Sequence, residues 1–147
     1  MDWDLVLACA HHVAVFGLVA LFAAEFTLLR PGLSGERIGQ LARIDAAYGG
    51  IAGLVIVVGI VRVIFGDMGW QYYLGNHAFW GKMAAFTIMG VLTIPPTMAI
   101  RRWEKAGADH VPTPEEIGSN RRFLHLQASV LLLIPIFAAA MARGYGS

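Results

Sequence analysis

Charge is scarce in this sequence: Asp, Glu, Lys and Arg supply 14% of its 147 residues, against about 25% in an ordinary soluble domain, which argues against a soluble fold. Its one cysteine, Cys9, excludes an intramolecular disulfide and, among small apolar neighbours, reads as a helix-packing residue. A net charge of +1 leaves no basic excess of the kind nucleic acid demands. Walker A, dinucleotide-fingerprint, HExxH and C-x-x-C patterns are all missing. Ser129, His125 and Glu25 cannot be called a triad from the sequence, because geometry and not inventory defines one. Tandem repeats and low-complexity tracts are absent as well.

What the chain does have is apolar length. Leu5–Leu29, Ala46–Phe65, Ala78–Ile100 and Phe123–Ala142 are runs of 25, 20, 23 and 20 residues, and about 20 apolar residues are enough to span a bilayer as a helix. Lipid cannot satisfy free backbone groups, so each run is expected to be helical. The fold class is therefore all-α: a single four-span domain over 1–147, an integral membrane four-helix up-down bundle. The first run lacks the positive flank of a signal peptide and is too long for one, so it is expected to stay in the mature protein.

Charge then orients the bundle. Arg30–Asp45 and Arg101–Arg122 hold eight of the eleven basic residues, so both connections are expected in the cytoplasm and both termini outside. The second is expected to be a solvated loop, although Thr113-Pro114-Glu115-Glu116 reads as a helix start. Trp3, Trp70, Tyr72, Tyr73, Trp80 and Trp103 lie near run ends, where interfacial anchors belong. Pro95, Pro96 and Pro135 are expected to kink their helices. Gly49-x-x-x-Gly53 is a small-residue stripe suited to close helix packing. A bacterial inner membrane is the expected residence.

An ionisable group at membrane depth costs several kcal/mol unless paired or hydrated, and so is a functional candidate by default. Here these are His11, His12, Glu25, Arg62, Lys82 and His125, with Asp45 at a boundary. Counted from Trp3, His11 and His12 lie about 12–14 Å deep, while Arg62 and Lys82 lie within about one turn of the outer surface, where snorkelling is the alternative. At 100° per residue Leu18, Phe22 and Glu25 fall within about 40° of His11, whereas His12 shares its face with Phe16, Val19, Ala23 and Phe26. His11 is thus the better inward candidate. Met89, on one stripe with Lys82, Thr93 and Pro96, lies about 16 Å deep, near the level of His11. A histidine and a methionine at similar depth suit a haem iron, with His125 as the other candidate axial ligand; as plain packing, Met89 is core filler. Glu25, Asp45 and Gln127, close to Arg43, Arg121 and Arg122, read as an inner polar rim of paired charges.

The pattern Cys9-Ala-His-His-Val-Ala-Val-Phe-Gly, Arg43-x-Asp45-x-x-Tyr48-Gly-Gly, Phe79-Trp-Gly-Lys82 and Arg122-x-x-His125-x-Gln127 resembles a family of four-span bacterial membrane proteins, the DUF2214 type, over nearly the whole chain. More distantly it is similar to HemJ-type protoporphyrinogen oxidases and CopD-like copper-resistance proteins. The HemJ resemblance implies haem b and a first-helix histidine, matched by His11 or His12, together with a third-helix Trp-Lys element, matched by Trp80-Gly-Lys82. It departs where that family's Asn-Glu-x-Pro is replaced by Leu124-His125-Leu126-Gln127.

The expected function is a haem-b-binding membrane protein for electron transfer or porphyrin redox chemistry, a HemJ-like oxidoreductase among its forms. Its cofactor-binding candidates are His11, His12, Met89, His125, Arg62 and Lys82, the three histidines being the metal ligands. Two other readings stand beside it: a cofactor-free structural or accessory subunit, and a small copper- or proton-handling protein in which His11 and Glu25 are relay steps. The expected partners are the bilayer, a redox partner or membrane-complex subunits, and a second copy of the chain.

Overall fold

The computed structural model describes residues 2–146. Helices α1 (Trp3–Leu28), α2 (Glu36–Phe65), α4 (His77–Lys105) and α5 (Pro114–Ala142) are each long and apolar enough to cross a membrane, and a one-turn helix α3 (Trp70–Leu74) lies between the second and third of them. Among the described residues there is no strand.

Local chemistry fixes the helix starts. Asp2, Asn76 and Thr113 each accept a hydrogen bond from the backbone N–H three residues on, capping α1, α4 and α5. In α5, Pro114 and the acidic Glu115 and Glu116 follow the cap, matching the fixed φ and the positive end of the helix dipole. After α4, Gly107 supplies the left-handed backbone (φ +102°) that ends the helix.

Three helices run beyond their apolar stretches. α2 begins at Glu36 rather than 46, α4 continues to Lys105, and α5 begins at Pro114 rather than 123. The expected loop over 101–122 is therefore mostly helix, with 106–113 alone irregular. The reason is burial: beyond the lipid-length runs the helices still alternate polar and apolar faces, and Ile38, Leu41, Trp103 and Ile117 join the core. Trp103 is accordingly no interfacial anchor. It is 1% exposed, and its indole Nε1 donates to Glu116 Oε2 at 3.2 Å. Trp3, Trp70 and Trp80 are exposed.

The main packing is pairwise, α1 on α2 and α4 on α5, with a looser seam between α2 and α4. In the second pair Gly81 sits against the Phe137 ring, which would lie 2.8 Å from a Cβ at that position. The Gly49, Gly50 and Gly53 stripe is not used in this way, since nothing lies within 4 Å of where their Cβ atoms would stand.

Both chain ends gather at one end of the bundle. Asp4 lies against Gly66 after α2, His77 N–H donates to the Gly146 carbonyl at 2.7 Å, and Tyr72 Oη donates to the Met141 carbonyl at 3.2 Å. This is the terminal end. The opposite end, with the 29–35 and 106–113 loops, is the basic end.

Candidate functional site

Two polar clusters lie inside the bundle. The first, in the basic half, is built by all four long helices. Pro96 has no N–H, so the Leu92 carbonyl four residues back has no helical partner. Gln127 Nε2, from α5, donates to that oxygen at 3.2 Å. The other end of the same amide, Oε1, accepts from Tyr48 Oη of α2 and from Thr93 Oγ1 of α4, each at 3.2 Å. A hydroxyl has one proton, so Thr93 shares it between Gln127 and the Met89 carbonyl at 2.9 Å.

One turn further along α4, Thr97 Oγ1 donates to Asp45 Oδ1 at 2.8 Å. Glu25 reaches this group from α1: it is 1% exposed, its Oε2 has no hydrogen-bond partner, and it lies within Coulombic range of Asp45 and Tyr48. Asp45 also lines a cavity of about 200 Å³ with Arg101, Glu104 and Lys105.

The expected rim of paired charges is thus replaced by an interior network. Gln127 is hydrogen-bonded by hydroxyls and a carbonyl, Asp45 by a hydroxyl, and Arg121 donates to the Phe26 and Leu29 carbonyls at the end of α1, with its guanidinium 4.6 Å from the Phe26 ring centroid. That arrangement caps orphan carbonyls at the negative end of a helix dipole.

The second cluster lies in the terminal half. The buried face of α1 is Ala14, Leu18, Phe22 and Glu25, the stripe on which helical angles place His11. His11 Nδ1 is sealed from solvent without a hydrogen-bond partner, as is Arg62 Nε. The ring lies against α2, with Cε1 3.7 Å from where a Gly59 Cβ would stand. The charges of Lys82 and Arg62 act on it, and Lys82 Nζ sits 5.7 Å from the Phe79 ring centroid. Arg62 and Lys82 are half-buried rather than fully extended to the surface.

The remaining candidates lie apart from this group. His12 is exposed on the outer face of α1, where its Nδ1 bonds to the Ala8 carbonyl at 2.7 Å. His125 is exposed in the basic half, edge-on to Phe26 at 5.0 Å between centroids. Met89 is 2% exposed and packs in one core cluster with Leu18 and Phe22. Among the described residues, no three His, Cys, Asp or Glu side chains converge as a metal-holding group.

Tyr48, Thr93 and Thr97 belong to the basic-half network although sequence reasoning did not single them out as site residues. A signal was present: Asp45 and Tyr48 are one turn apart, Thr93 and Thr97 likewise, and Pro96 leaves a carbonyl that some donor must satisfy.

A family model described as "Predicted membrane protein (DUF2214)" matches residues 3–146, and the chain belongs to that family. No curated protein and no solved structure matches it.

Proposed function

We propose that this DUF2214 protein binds haem b in the terminal half of its bundle and serves electron transfer or porphyrin redox chemistry. The observation that carries the reading is His11, an imidazole held on the inward face of a membrane helix with a ring nitrogen that no protein group occupies. Haem needs an axial ligand, cations for two propionates and an apolar cleft. His11 would supply the ligand to the iron, and Arg62 and Lys82 would hold the propionates by charge-assisted hydrogen bonding. Room for the ring would come from parting the two helix pairs beside His11, whose Nδ1 is sealed from solvent. His12 faces away and bonds its own backbone, Met89 is packed in the core, and His125 belongs to the other half, so in this reading His11 would be the one protein ligand. Bound haem supplies the one-electron chemistry, and the chain sets its burial and nearby charge.

In the same reading the basic end faces the cytoplasm of a bacterial inner membrane, since Arg30, Arg37, Arg43, Arg101, Arg102, Lys105, Arg121 and Arg122 all lie in its loops or within about two and a half turns of them. The test is a reduced-minus-oxidised absorption spectrum of protein purified in mild detergent after expression with adequate haem supply. A Soret band with sharp α and β bands is expected, lost in His11→Ala and kept in His12→Ala. A colourless, monodisperse wild type, or full haem content in His11→Ala, would overturn the reading.

A further inference from the structure

We propose that Glu25 is a proton-exchanging carboxyl inside the bundle, reached from the basic end through Asp45. The inference does not rest on haem, because it concerns the other half of the molecule and different residues. Two independent observations converge on it. Glu25 is 1% exposed, and Oε2 has no donor from any helix, so this oxygen has room in its chemistry for one small ligand. Asp45, whose charge acts on Glu25, also forms part of the wall of the cavity of about 200 Å³ at the basic end.

The surroundings select a proton over a metal cation. Facing the pair from α2 is Tyr48, and from α4 come the hydroxyls of Thr93 and Thr97 with Arg101 acting on Asp45. From α5 come the amide of Gln127 and, nearer the end of α1, Arg121 and His125. The Gln127 oxygen is already taken by two hydroxyls and Thr97 spends its proton on Asp45; Glu104 and Lys105 share the cavity wall with Asp45, but among the described residues no third His, Cys, Asp or Glu converges with the two acids as a metal-holding group. That leaves too few oxygens for the six or more that a hard cation takes. A proton needs one. The exchange balances simply: a proton from cavity water binds an Asp45 oxygen, passes to Glu25 through one bridging water, since the two carboxyls share no direct hydrogen bond, and returns by the same path.

The experiment is infrared spectroscopy of the purified full-length chain, following the carbonyl stretch of a protonated carboxyl and its shift on transfer to deuterium oxide. The band is expected to vanish in Glu25→Gln. In Asp45→Asn it should persist with exchange about 100-fold slower, the scale on which a positioned proton-transfer group acts. Ala46→Leu, which narrows the same cavity without touching either acid, should also slow exchange and serves if Asp45→Asn does not fold. An unchanged band in Glu25→Gln would overturn the proposal, as would wild-type exchange rates in both other variants.

Discussion

Replacing Gln127 with Leu removes three hydrogen bonds at one stroke, those from Tyr48 and Thr93 and that to the Leu92 carbonyl. At the average of about 0.6 kcal/mol per interhelical bond in membrane proteins, their loss comes to about 2 kcal/mol. Thr93 keeps its bond to Met89, but Tyr48 and the Leu92 carbonyl are left without these partners. Each unsatisfied buried group adds about 1–3 kcal/mol, so with two such groups a total of at least about 4 kcal/mol is expected. The proline makes the reasoning separable. In Pro96→Ala the restored N–H bonds the Leu92 carbonyl within α4, so Gln127→Leu in that background should cost about 1 kcal/mol less than in the wild type. The assay is a double-mutant cycle by reversible denaturant unfolding in mixed micelles, followed by circular dichroism. Additivity within about 0.3 kcal/mol would refute the idea that the amide serves the carbonyl freed by Pro96.

Arg121→Gln should lower stability by about 1–3 kcal/mol by stripping the α1 carbonyls of their donor, and an unchanged melting midpoint would contradict this. Gly81→Ala should gain about 1 kcal/mol of helix propensity but lose about 1–3 kcal/mol against the Phe137 ring, giving a net loss that Phe137→Leu in the same chain relieves. A Gly81→Ala protein that melts above the wild type would show that the ring yields freely.

The parts of this architecture written in one helix at a time were legible in the sequence. Apolar length revealed four spans, and the 100° rotation per residue placed His11 with Leu18, Phe22 and Glu25, on the face of α1 that is buried. Helix ends were not legible from apolar length, because α2, α4 and α5 continue past the lipid-length runs wherever residues such as Ile38, Trp103 and Ile117 find a core. Nor could pairing across the bundle be read. Tyr48 and Gln127 are 79 positions apart, and only packing brings such residues together. Expecting Glu25, Asp45 and Gln127 to meet arginines followed from the depth they share with Arg43, Arg121 and Arg122 near one surface, whereas the fold gives Asp45 a hydroxyl partner and Gln127 two hydroxyls and a backbone carbonyl.

Among the described residues, the hydrogen bonds joining the α1–α2 pair to the α4–α5 pair lie in the basic half: Tyr48 to Gln127, Thr97 to Asp45, and Arg121 to the end of α1. Toward the terminal end, His11, Arg62 and Lys82 approach across the seam without such bonds. Mechanically the two helix pairs are fastened at both ends by different means: in the basic half by these side-chain hydrogen bonds, and at the terminal end by the covalent 66–76 connection and the Tyr72 bond to the Met141 carbonyl.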